Sequence, residues 1–197
     1  MDSTEIAEIV RKASTDALTD YLAMCRLDSP WEVPERFLAI ESAKALAKVN
    51  LRVAVEFRLD TAAIHPSSAE IAQAPTRLRG AYAHLDLAIL KAEPNNPWRR
   101  ELDGIIEFKK HTSLEDDTNL IEYMVSKKSV RFGLLVLLIV GDTENRVIDE
   151  ERRLTKAVIE GTIWKRIISE FKPEFTPPLS NSPIKDRYWT ISCMLTK

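Results

Sequence analysis

From Thr4 to Arg26 apolar residues recur at three- and four-residue spacing, through Ile6, Ile9, Val10, Ala13, Ala17, Tyr21, Leu22 and Cys25. Such spacing lines one side of an amphipathic helix, which Asp28-Ser-Pro30 ends. A second helix opens at Val33-Pro34-Glu35, because proline is tolerated in a first turn, and runs through Phe37, Leu38, Ala45, Leu46 and Val49. The period then drops to two. Leu51, Val53, Val55 and Phe57 alternate with Arg52, Ala54, Glu56 and Arg58, which predicts a strand with one wetter face. Ala63 to Pro75 reads as a connection. Leu78 to Leu90 and Leu102 to Lys109 read as two further strands, joined by a turn over Lys91 to Arg100 that contains Pro94-Asn-Asn-Pro97. The two are expected to be antiparallel neighbours.

Leu114 to Ser126 suits a helix, and Arg131 to Val140 is apolar on both faces and rich in branched side chains, the pattern of a central strand covered on both sides. Gly141-Asp142 stops it. Arg146 to Phe171 then reads as the longest helix, with Val147, Leu154, Val158, Ile159, Ile163, Ile167, Ile168 and Phe171 turned inward. A segment with Pro173, Pro177, Pro178 and Pro183 leads to a last strand, where Trp189, Ile191, Cys193 and Leu195 alternate with Thr190, Ser192 and Met194. That strand suits an edge, a subunit interface or an ordinary core position, and the pattern does not choose among them. The expected fold class is α/β, one domain over 1–197 with a central mixed sheet flanked by helices.

Composition narrows the function more than the fold. The 28 Lys and Arg against 30 Asp and Glu leave a formal charge of −2, so no basic sleeve surrounds the molecule and any phosphate-binding surface must be local. Cys25 and Cys193 lack the paired spacing of a zinc site or a disulfide framework and read as free core thiols in a reducing compartment. The acidic start and the short apolar run predict a cytoplasmic chain without a membrane span. Glycine-rich phosphate loops, dinucleotide fingerprints and nucleophile elbows are absent from the sequence, and His65, His84 and His111 share no metal-ligand spacing.

Candidate chemistry concentrates in His84-Leu-Asp86-Leu-Ala-Ile-Leu90 and Leu102-Asp-Gly-Ile-Ile-Glu107-Phe-Lys109-Lys110. The period of two sets Ile105, Glu107 and Lys109 on one face and Ile106 and Phe108 on the other. With Asp86 brought alongside by strand pairing, two carboxylates and a lysine would meet in apolar surroundings, where a carboxylate is costly unless paired or bound to metal. Such oxygen ligands suit Mg²⁺, with Mn²⁺ as a substitute. The plain alternative is a Lys109–Glu107 or Lys109–Asp86 ion pair on an exposed sheet face.

Asp86, the triplet Glu107-Phe108-Lys109 and the surrounding elements resemble the PD-(D/E)xK nuclease superfamily, the restriction-endonuclease-like fold. The family core is a helix, three strands, a helix and a strand, and here it would run from Pro34 to Val140, with the first helix and a C-terminal helix plus strand as additions. Asp86 matches the first acid and Glu107-Phe108-Lys109 the (D/E)xK triplet, with 20 residues between Asp86 and Glu107. Leu85 stands where the family often has proline. Many members carry a glutamate on the preceding helix, a position Glu35 matches, with Glu41 in reserve; Glu56 is the weakest candidate because solvent-facing strand glutamates are common.

The resemblance implies a metal-dependent endonuclease that hydrolyses DNA in restriction, defence or DNA processing. Asp86, Glu107, the Phe108 carbonyl and Glu35 would hold the ion, and Lys109 would act on the attacking water or the growing negative charge. Arg99, Arg100, Lys110, His111, Lys127, Lys128 and Arg131 are candidate phosphate contacts, with DNA as the expected partner and RNA not set aside. A homodimer or a partner subunit would supply specificity that one small domain lacks. The rival reading is a nuclease-fold domain without activity, used to bind nucleic acid or protein.

Overall fold

The computed structural model describes residues 1–25, 29–59, 84–91, 101–110, 114–127, 130–159, 164–172 and 188–196. Two helices lead, α1 (Ser3–Cys25) and α2 (Glu35–Lys48), with a 3-10 turn at Pro30–Glu32 between them. Strands β1 (Arg52–Arg58), β2 (His84–Leu90) and β3 (Leu102–Lys110) follow, then α3 (Glu115–Lys127), β4 (Phe132–Gly141), α4 (Glu144–Ile159), β5 (Trp164–Lys172) and β6 (Tyr188–Thr196). Among the described residues from Pro34 to Val140 the order is helix, three strands, helix, strand.

All six strands form one mixed sheet in the order β1-β2-β3-β4-β6-β5. The first three make an antiparallel meander. β3 and β4 are parallel, which requires a crossover, and α3 supplies it. β6 is antiparallel to both β4 and β5.

β4 explains why two layers of helices are needed. Every one of its residues is buried, and its side chains alternate between two cores. Phe132, Leu134, Val136, Leu138 and Val140 join α1 and α2, with Ile6, Val10, Leu18, Leu22, Leu38 and Leu46. Leu135, Leu137 and Ile139 face α3 and α4, with Leu120, Ile121, Met124, Val147 and Leu154. Each fully buried Leu or Ile contributes about 1.5–3 kcal/mol, so the covered strand is the mechanical centre of the sheet. Gly133 lets α3 lie directly on it, because a Cβ there would run into the Ile121 side chain.

The join between α2 and β1 is also built by local chemistry. The Leu51 amide donates to the Leu46 carbonyl (3.2 Å) and the Asn50 amide to the Ala47 carbonyl (3.0 Å), while Asn50 takes a left-handed φ of 63°. These are the paired bonds of a Schellman cap, with asparagine in the place that glycine most often fills. The turn aims the chain out of the helix and into the first strand.

Two expectations are corrected and one open choice is resolved. The stretch Arg146 to Phe171 is not one helix: α4 ends at Ile159 and β5 begins at Trp164, so among the described residues the addition after β4 is a helix and two strands and the longest helix is α1. The last strand is neither an edge nor an open interface strand, since β6 lies between β4 and β5. Cys193 is a buried free thiol as expected, whereas Cys25 is exposed at the end of α1. The connection over Ala63 to Pro75, residues 78–83 of the second expected strand, the turn around Pro94 and Pro97 and the proline-bearing segment lie outside the described residues. Among the described residues no helix is long and apolar enough to cross a membrane.

Candidate active site

β2 and β3 pair from Leu90↔Leu102 up to Leu87↔Ile106. The next facing pair would be Asp86 and Glu107, and at that rung the ladder ends. Asp86 instead reaches across with its side chain: Oδ2 accepts the Phe108 amide at 2.9 Å. Two residues on, the Lys110 amide donates to Oε1 of Glu35 at the start of α2, also at 2.9 Å. Alternate amides of a strand project to the same edge. Two carboxylates from two other elements thus occupy the open edge of β3, on amides about 7 Å apart by strand rise.

The two helix glutamates have different surroundings. Glu35 meets β3, whereas Glu41 binds Lys44 at 2.6 Å and borders a groove with α1 that contains Asp16, Asp20 and Phe37. In β3 itself the expected alternation holds, with Ile106 and Phe108 in the α1–α2 core and Ile105 in the other. Glu107 is fully buried and Lys109 half-buried. This is not the exposed sheet face on which a surface ion pair was the plain alternative. The Lys109 ammonium lies 3.5 Å from Oδ1 of Asp117, a buried carboxylate in the first turn of α3.

Asp117 was not singled out from sequence. Glu115-Asp116-Asp117 has the look of acids that favour a helix N-terminus, and only the parallel packing of β3 and β4 brings α3 over Lys109. The Trp31 carbonyl was equally silent: it accepts the Lys110 ammonium at 2.7 Å. Burial pushes that ammonium below its ordinary pKa, and the Glu35 carboxylate pulls it back up.

The expected phosphate contacts divide sharply. Arg99, Arg100, His111 and Lys128 lie outside the described residues. Lys110 is committed to Trp31 and Glu35. Arg131 forks onto Asp103, with Nε at 3.0 Å and Nη2 at 2.7 Å, and stands 5.1 Å from the Phe132 ring centre. Phe132 pairs with Gly104, whereas Glu107 to Lys110 pair with Leu135 to Leu138. Arg131 and the exposed Lys127 therefore belong to the opposite end of the parallel pair, about 13 Å from Glu107 along the strand.

Among the described residues no group of three or more His, Cys, Asp and Glu is gathered as a ready metal site. Mg²⁺ takes as few as one or two carboxylates and keeps several waters, and Asp86 and Glu107 are donors of that chemical type. Asp86 and Glu107 supply hard oxygens from neighbouring strands, and the Phe108 carbonyl points to the same edge as the amide that Asp86 accepts. No protein-family model matches the chain, and neither curated proteins nor solved structures give a match.

Proposed function

We propose that this protein is a divalent-metal-dependent phosphodiesterase acting on DNA, with a PD-(D/E)xK-type core. One observation carries the reading: Asp86, distant in sequence, accepts the amide of the middle residue of Glu107-Phe108-Lys109, while Glu35 accepts the amide of the next residue but one. The order of α2, β1, β2, β3, α3 and β4 agrees with it.

In this reading Asp86, Glu107 and the Phe108 carbonyl would hold Mg²⁺, with Glu35 beside them. The bound ion supplies a polarised phosphoryl oxygen and a water of lowered pKa. Glu35 and Asp86, each anchored through one oxygen on a β3 amide, keep their other oxygens for the ion or its waters. The Lys109 ammonium, steered by Asp117, faces the negative charge that grows on the phosphate as water attacks.

Plasmid and linear DNA incubated with Mg²⁺, Mn²⁺ or EDTA test the reading, beside Asp86→Ala and Lys109→Ala. Metal-dependent cleavage is expected, falling at least about 100-fold in each variant. Cleavage that survives both substitutions sinks the assigned site. A folded wild type that cleaves neither DNA nor RNA favours the second reading, a nuclease-fold binding module, for which the Lys109–Asp117 ion pair is an ordinary structural contact.

A further inference from the structure

Asn50 and Glu56 are the two non-glycine residues with positive φ among those described. Asn50 closes a helix. Glu56 has no such local reason: it sits inside β1 with φ at 49°, a left-handed shape that side-chain-bearing residues avoid in mid-strand. Backbone strain of this kind persists only where the surroundings impose it, and it concentrates at functional sites.

What surrounds Glu56 is the Asp86 rung. β1 and β2 pair Val55↔Leu87 and Phe57↔Leu85, so Glu56 and Asp86 face one another in a register that does not shift. Residues two apart in a regular strand share a face. Here Val53 and Val55 pack on the α1–α2 core, but Phe57 and Leu59 join the α3–α4 core. In β2 the same reversal separates Leu87 and Ile89 from Leu85. Both strands turn over at the one rung where β2 leaves β3 and the Asp86 carboxylate takes the Phe108 amide. On the other side, Arg36 Nε meets Glu56 Oε1 at 3.1 Å, and Arg36 follows Glu35 in the first turn of α2.

We infer that Glu56 is a positioning residue for the candidate active site. Its left-handed backbone turns β1 and β2 over together, which sets the Asp86 carboxylate against β3, and its side chain links that kink through Arg36 to the helix turn that carries Glu35. The backbone carries most of the effect, because the Arg36–Glu56 pair has side chains 68% and 48% exposed and exposed pairs contribute little. Calling the place an active site rests on the proposed phosphodiesterase. The geometry does not.

Amide hydrogen exchange, followed residue by residue in the free protein, reads the Asp86–Phe108 bond without any assay of cleavage. Asp86→Ala defines full loss of the Phe108 protection. Glycine adopts positive φ freely, so Glu56→Gly is expected to keep that protection within about threefold. Glu56→Val, with a β-branched side chain that disfavours positive φ, is expected to speed Phe108 exchange by about tenfold or more while amides of β4 and β6 are unchanged. Glu56→Ala gives a milder form of the same effect and serves if the valine variant does not fold. Arg36→Ala is expected to change the rate less than about threefold. Unchanged Phe108 protection in the folded valine or alanine variant overturns the inference. So does a glycine variant that loses as much protection as Asp86→Ala. A wild type that cleaves nothing defeats the proposed function and leaves this result standing.

Discussion

The thiol of Cys193 shows how far a single residue's surroundings set its chemistry. It lies in β6, which pairs on both sides, and desolvation pushes its pKa up to about 12 against a smaller pull from Arg11. Below pH 9, the ordinary value, the thiol is protonated whether the chain is folded or not, and its contribution is intact. Above that pH the unfolded thiol ionises while the folded one keeps its proton, so stability falls as pH rises from about 9 to about 12. Lys110 acts in the opposite sense: its folded pKa is depressed, the unfolded chain holds the extra proton below the ordinary 10.5, and stability rises with pH there. The difference between wild type and Cys193→Val therefore isolates the thiol. Urea unfolding at pH 8 and pH 10 is expected to show the wild type losing about 1.4 kcal/mol relative to the variant. Equal losses in both proteins would assign the alkaline drop elsewhere. The burial of Cys193 was legible because alternation with Ile191 and Leu195 gives its face; the exposure of Cys25 was not, because the stripe of α1 continues in sequence past Leu22, the last buried residue of the helix, to the exposed Cys25.

Among the elements, the misread segment is the most instructive. Val147, Leu154 and Val158 are helical in spacing and buried in α4, and Ile163, Ile167, Ile168 and Phe171 continue the three- and four-residue rhythm by coincidence. Pairing with β6 overrides that rhythm in β5. The register of β5 also shifts between Arg166 and Ser169, so the strand shows no clean alternation to read. The kink at Glu56 was hidden for the converse reason: Leu51, Val53, Val55 and Phe57 alternate without a break in sequence while the structure reverses their faces. α4 is fastened to the sheet by a polar bond, the Ser192 hydroxyl donating to Oε1 of the buried Glu151 at 2.9 Å. A hydrogen bond to a carboxylate in such a place is worth about 1.5–3 kcal/mol. Ser192→Ala is expected to lower unfolding stability by about 2 kcal/mol in urea titration. A loss below about 0.5 kcal/mol, the range of ordinary surface changes, would show that this bond does not fasten α4 to β6.

At the scale of the molecule, the parts of the candidate site that lie on strands can be read from sequence and the parts that depend on packing cannot. Asp86, Glu107 and Lys109 follow from two short runs, whereas Asp117 and the Trp31 carbonyl enter only when α3 and the 3-10 turn are folded over β3. The same packing decides electrostatics. With a net charge of −2, three carboxylates near one strand end and the Lys109 ammonium paired with Asp117, the described face around Asp86 offers a polyanion little attraction. A bound divalent ion reverses the local sign. DNA affinity measured by fluorescence anisotropy is therefore expected to rise about tenfold or more when Ca²⁺ replaces EDTA, since each charge-assisted phosphate contact is worth more than 1 kcal/mol. The sign of the mutational effect separates this from a general metal effect on DNA. Combining Asp86→Asn with Glu107→Gln removes two negative charges, so binding in EDTA should strengthen while the Ca²⁺ increment disappears. If the wild type binds equally well with and without Ca²⁺, or the double variant keeps the full increment, the carboxylates at the end of β3 are not where the ion and the phosphate meet.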